Sequence, residues 1–496
     1  MNTNIYSRHP IHRSNRPIPA PQEPSLIRTI AAKIAALALA SSLSALLLPA
    51  SQASAAPFFF STGNPDHRAA TLARRPSADK IETETADDFI LTKATLINSA
   101  TFTGLRPAGS TVLNAEVEIY HVFPFDSPDT VPSRIVNTNN GTANVPTRNN
   151  SPADGEIDDA TRDGADGSLT FSVTVVTNSF HVTNSVVNKI KRKPDQATGG
   201  EGPVTEEEIT ITLTFNPPIA LPANSPSNHY FFRPEVELSS GDFLWLTVAK
   251  LIVAPGTPFA GDLQSWIRAD DPASIFPDWL RIGTDIVVTQ GMFNAAFSLT
   301  GETRDVICPQ DIVAPNDPGQ CSAVVDYEVI TSPGVTAICE PPSGSVFPKG
   351  ATTVTCTATP GGQTCSFTVT VQDKEAPQVA CRPAPNPGGK KIPVAGKNGN
   401  SGQNPDGYYQ LLTKDNCDPN PTIYVADSAS AFIAGPFASG DIVKITQSPD
   451  ETPFQQPGPR FVVAHIRLQG DALLLAVDAD GNVSDTVDCS VPPLPK

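Results

Sequence analysis

Ile209-Thr210-Ile211-Thr212-Leu213-Thr214-Phe215 alternates a large apolar residue with threonine without a break, and Leu169-Thr170-Phe171-Ser172-Val173-Thr174-Val175 follows the same rule. A two-residue period puts the apolar side chains on one face of an extended strand and the hydroxyls on the other. Both segments therefore read as strands with one packed face and one wet face. Working outward, residues 94–104, 115–120, 243–248 and 293–299 give further strands. The polar stretches 132–167 and 191–208, rich in Asn, Asp, Gly and Pro, read as long loops between them.

The rest of the chain agrees with an all-β fold. Fifty prolines and only two methionines accompany a formal charge of −17 over 496 residues. Proline breaks helix interiors, and Thr/Val-rich runs favour strands. The chain is too long for one core and suggests about three domains. At the start, Arg28 and Lys33 precede the apolar run 34–50, and Ala53-Ser54-Ala55 follows. This pattern predicts an export signal cleaved after Ala55, since the run is short for a membrane span and Pro49 breaks its end. Losing its five basic residues and one acid takes the formal charge from −17 to −21. Such a surface repels nucleic acid and anionic lipid. The expected partners are an extracellular protein or a polysaccharide surface, with no nucleic acid and no membrane span in the mature chain.

The expected organisation is a signal (1–55), a tether (56–82) and a large jelly-roll-like sandwich (83–302). Two immunoglobulin-like sandwiches follow, 303–375 and 376–496. Lys374-Glu375-Ala376-Pro377 reads as a hinge, and the Gly/Asn/Pro-rich stretch 385–407 as a flexible loop. All eight cysteines fall in the last two modules, at 308, 321, 339, 356, 365, 381, 417 and 489. In an exported chain, cysteines without close C-x-x-C pairs point to disulfides rather than zinc.

Several segments of the second module match one family in order. They are Cys308-Pro-Gln-Asp-Ile-Val313, Asn316-Asp-Pro-Gly-Gln-Cys321, Cys339-Glu-Pro-Pro-Ser-Gly344 and Phe347-Pro-Lys-Gly350. Thr352-Thr-Val-Thr-Cys356 and Cys365-Ser-Phe-Thr-Val-Thr-Val371 complete the set. Residues 308–373 thus resemble a hyalin repeat, which implies an immunoglobulin-like sandwich in an extracellular, usually adhesive, protein. Pairing Cys339 with Cys356 would close a loop of about 18 residues, worth about 3 kcal/mol in the chain-entropy account. Cys308 with Cys365 would tie the first strand to the last, and Cys381–Cys489 is the preferred pair of the third module. Repeats of this kind usually carry Asp-Asn-Cys between the second and third cysteines; this one does not, although Asp415-Asn416-Cys417 occurs later. Cys321 is left free or bridging outward, and Cys417 is unassigned. Residues 83–302 are similar to an uncharacterised β-rich region found beside such repeats in secreted bacterial proteins, on Glu84-Thr-Ala-Asp-Asp-Phe89, His229-Tyr-Phe-Phe232 and the two Trp segments.

Two clusters are candidate sites. Trp266, Arg268, Asp270, Asp271, Asp278, Trp279 and Arg281 could form a sugar platform, with indole faces under the ligand and charged groups on its hydroxyls. The competing reading puts both indoles in the core. Asp154, Asp158, Asp159 and Asp163 offer hard oxygens for calcium, as does the loop 478–485, although Asp-Gly between strands is also ordinary turn chemistry. No other cofactor is expected. The five histidines after residue 55 are scattered, and neither a Gly-x-Ser-x-Gly elbow nor a phosphate loop occurs. The chain therefore reads as non-catalytic: an adhesive or surface-binding protein first, a carbohydrate binder second, and a secreted glycan-degrading enzyme a distant third.

Overall fold

A computed structural model describes residues 55–76, 80–127, 149–190, 197–224, 228–270, 279–385, 407–459 and 461–489, together with the backbone of strands Arg134–Thr138 and Gly141–Val145. The signal segment lies outside the described residues, as does almost all of the stretch 385–407. The described chain is nearly all strand, arranged as successive β-sandwiches. Among the described residues no helix is long and apolar enough to cross a membrane.

The large module faces a nine-stranded sheet with a seven-stranded one. In the first sheet, Thr95–Arg106 pairs along its length with Val204–Leu221, which carries Leu169–Val182 at the edge. Its other side takes Phe297–Thr303 and then Leu244–Ala249. The alternation in residues 209–215 works as the physics demands: Ile209, Ile211, Leu213 and Phe215 are buried in the core, while Thr214 is exposed. The second sheet centres on Glu82–Ile90, His229–Leu238 and Val112–Val122. It sends Phe89, Ala115, Val117, Ile119, Tyr230 and Phe232 into the same core, where they meet Phe102, Trp245 and Phe297.

The expected tether is instead part of this sandwich. Ala56–Ser61 pairs antiparallel with Phe297–Thr303, and Ala69–Leu72 lies between Leu244–Ala249 and Asn184–Val186. Phe60 is 2 % exposed, and Ala69, Ala70 and Leu72 are wholly buried. Both strands are too short to show a period, and their partners are remote in sequence, so nothing local announces them. Parts of the expected loops are also strand: Pro152–Glu156 and Arg162–Asp163 pair with Val112–Val122, and Val204–Leu221 begins inside 191–208.

In the second module Ile312–Pro315 runs parallel to Thr364–Gln372, which continues through Gly350–Thr359 to Thr336–Glu340. The pair Ser322–Val325 and Ser345–Pro348 supplies the facing layer, an immunoglobulin-like arrangement. The third module packs a sheet built on Tyr408–Lys414, Ile442–Gln447 and Ala464–Leu468 against one built on Thr422–Asp427 and Ala472–Val477. All eight cysteines are paired: Cys308–Cys365, Cys339–Cys356, Cys381–Cys489 and Cys321–Cys417. The last pair joins the second module to the third.

Candidate functional site

The Trp/Arg segment forms the edge of the seven-stranded sheet and turns its indoles onto the face away from the main core. Strand Trp266–Asp270 pairs with Glu82–Ile90 on one side and with Leu280–Arg281 on the other. Trp266 and Trp279 are 2 % and 4 % exposed and pack with Ala86, Tyr120 and Phe231 in a second small core. Neither indole offers a face to a ligand, which corrects the platform reading; the hydrophobic gain of burying two large rings decides it. Arg268 lies over the Trp279 ring at 4.6 Å and pairs with Glu84, and Arg281 binds Asp285 with a 2.8 Å contact. Asp270 pairs through its backbone with Glu82. Asp271 and Asp278 lie outside the described residues.

Beside the indoles the same face carries a buried charge network. Alternation along His229–Leu238 turns Phe231, Arg233 and Glu235 away from the main core, and Val112–Val122 turns Glu116, Glu118 and Tyr120 the same way. The Arg233 guanidinium is wholly buried and contacts Glu82 at 2.5 Å, Glu84 and Glu118 at 2.7 Å and Glu235 at 2.9 Å. Burial alone would lower its pKa, but Glu235, Tyr120, Glu118 and Glu82 hold it above the ordinary value. The acids outnumber their cations. Burial, with Glu118 adding to it, pushes Glu116 up to about 7 even though Arg75 opposes the shift. Burial also raises Glu118, and raises Glu235 well above the usual carboxylate range. These carboxyls are held by Arg75 and Arg233, which tie Val112–Val122 to His229–Leu238 and to the residues before Glu82–Ile90.

The expected calcium ligands do not gather. Asp154 belongs to strand Pro152–Glu156, while Asp158 and Asp159 sit in an exposed 3-10 turn. Asp163 is taken by the Arg75 guanidinium, at 2.8 and 2.9 Å, and by the Asn114 amide at 2.8 Å. Despite burial, these bonds hold its carboxyl below the ordinary value. The loop 478–485 is a turn: Asp478 Oδ1 accepts the amides of Asp480 and Asn482, and Gly481 takes φ +87°.

Two features escaped the sequence reading. Phe58, Phe59, Pro57 and Phe259 line a groove along the first strand, where Phe59 is 58 % exposed. The Phe-Phe-Phe run at 58–60 was its only signal. The second is the junction of the last two modules, expected to be a hinge. There Cys321 is bonded to Cys417, and the Glu375 carboxylate accepts from Gly319 N–H at 2.8 Å, Asn316 Nδ2 at 3.2 Å and Asn416 Nδ2 at 2.6 Å. Asn416 Nδ2 also donates to the Gln320 carbonyl at 2.8 Å, and Lys349 reaches Asp480 across the boundary. A segment expected to bend is clamped.

No family model matches the chain, and no curated protein matches it, so its function has to be argued from this geometry.

Proposed function

We propose that the protein is exported, with its signal removed after Ala55, and acts as a non-catalytic adhesive or surface-binding protein. In this reading the large sandwich is the binding head and the last two modules are a stiff spacer, with residues 308–373 a member of the hyalin-repeat family. The observation that carries the reading is the covalent clamp between successive modules at Cys321–Cys417. A spacer that transmits force or holds a head off a surface gains from such a lock, whereas catalysis in one domain has no use for it. Four disulfides suit an oxidising exterior.

The second reading, carbohydrate binding by the large sandwich, is favoured by the Phe58/Phe59/Phe259 groove, whose rings offer apolar faces to sugar C–H surfaces. The test is retention of residues 56–496 on immobilised extracellular proteins and on polysaccharides, with Phe59→Ser alongside. The adhesive reading expects protein-surface retention insensitive to Phe59→Ser. Glycan retention lost in that variant would favour the second reading. Turnover of a polysaccharide would overturn both.

A further inference from the structure

Three aspartates converge where the second module meets the third, each standing directly after the end of a strand. Asp373 follows Thr364–Gln372, Asp415 follows Tyr408–Lys414 and Asp478 follows Ala472–Val477. One carboxylate oxygen from each lies within 4.8 Å of the others. Asp373 is 2 % exposed and Asp478 4 %, while Asp415 is half-buried.

Hydrogen bonds hold Oδ1 of Asp373 and of Asp415, and both oxygens of Asp478. Asp373 Oδ1 accepts from Glu375 N–H at 3.2 Å, and Asp415 Oδ1 accepts from the amides of Cys417 and Asp418 at 2.8 and 2.6 Å. Asp478 is held by the amides of Asp480 and Asn482 and by Asn482 Nδ2. The second oxygens of Asp373 and Asp415 are buried and accept no hydrogen bond. Among the described residues the cation in salt-bridge contact with this group is Lys349, whose Nζ stands 3.7 Å from Asp373 Oδ2 and makes its closer contact with Asp480. Buried like charges at this spacing repel strongly unless a further positive charge lies among them or one carboxyl keeps its proton.

We propose that Asp373, Asp415 and Asp478 form a calcium site that locks the second module to the third. The donors are all hard oxygens, which disfavours zinc. They come from three separate segments with no octahedral preorganisation, which suits calcium's flexible coordination better than magnesium's rigid one. The site sits beside Cys321–Cys417 and the Glu375 network, so ion, disulfide and hydrogen bonds act on the same boundary. This inference does not depend on the adhesive reading.

The experiment uses oxidised residues 56–496, stripped with a chelator and titrated calorimetrically with calcium chloride, then with magnesium chloride. A single calcium site is expected, with Kd in the range of about 10⁻⁴–10⁻³ M found for extracellular modules. Magnesium should bind at least tenfold more weakly. Asp373→Asn with Asp415→Asn should weaken calcium binding at least tenfold while leaving the circular-dichroism spectrum and all four disulfides intact. Should that variant not fold, calcium-dependent protection of the native chain from proteolysis around residues 374–377 tests the same site. Absence of both saturable binding and protection at millimolar calcium overturns the proposal and leaves Lys349 as the counter-charge. Binding unchanged by the double substitution, or equal affinity for magnesium, overturns it as well.

Discussion

Arg233 shows how much of the large module rests on a single side chain. Its guanidinium is fully buried and contacts four glutamates, so removing it strands several carboxylates away from water. Arg233→Gln is expected to destabilise the module by roughly 3–5 kcal/mol, the usual cost of breaking a buried ion pair from one side. All three tryptophans, at 245, 266 and 279, lie in this module, so indole fluorescence in a urea titration reads its unfolding directly. The acids around Arg233 give a second expectation. Glu116 is raised from 4.5 to about 7, so the folded state binds a proton there that the unfolded chain has released. Its stabilising contribution is full below about 4.5 and is lost as pH climbs through about 7. Stability measured by the same fluorescence should fall across that window, and Glu116→Gln should flatten the fall. Asp163, held low, acts only below the ordinary carboxylate range and does not mask it. None of this network was legible in the sequence. Glu84, Glu118 and Glu235 alternate with inward residues, as solvent-facing charges do, yet beside the second small core Glu84 and Glu235 are buried and Glu118 is half-buried. The two indoles were ambiguous for the same reason, because a Trp beside Arg and Asp fits a platform and a covered sheet equally well.

Among the elements, the long strands were readable where apolar and hydroxyl residues alternate cleanly, as in residues 209–215. The short strands Ala56–Ser61 and Ala69–Leu72 were not, because a few residues cannot show a period and their partners lie far along the chain. Packing between the long strands sets tight tolerances. Strand Thr95–Arg106 places Gly104 opposite Trp245, and a Cβ there would lie 2.2 Å from the Phe243 ring and 2.6 Å from the Leu244 carbonyl oxygen. Ring and backbone are both held in the core, so Gly104→Ala is expected to cost roughly 1–3 kcal/mol through overpacking. Thermal unfolding followed by tryptophan fluorescence checks it; an unchanged midpoint would mean that the strand yields.

At the scale of the whole molecule, covalent and hydrogen-bonded links turn a string of modules into a partly rigid body. Cys321–Cys417 spans 96 positions, and closing a loop of about 100 residues is worth about 4–5 kcal/mol in the chain-entropy account. Cys321→Ser with Cys417→Ser should leave each sandwich folded but make residues 374–377 more open to limited proteolysis than they are in the native chain at the same calcium concentration. The sequence could not assign this pair, since it depends on how two modules face each other. The three pairs within modules needed only the fold of one, and they are the pairs preferred from the sequence. The clamp is the account's central claim, and disulfide mapping of the oxidised, unreduced protein by peptide mass spectrometry tests it most directly. The expected result is four linked peptides, with Cys321 joined to Cys417 alongside Cys308–Cys365, Cys339–Cys356 and Cys381–Cys489; Cys321 and Cys417 found as free thiols, or each bonded elsewhere, would contradict it.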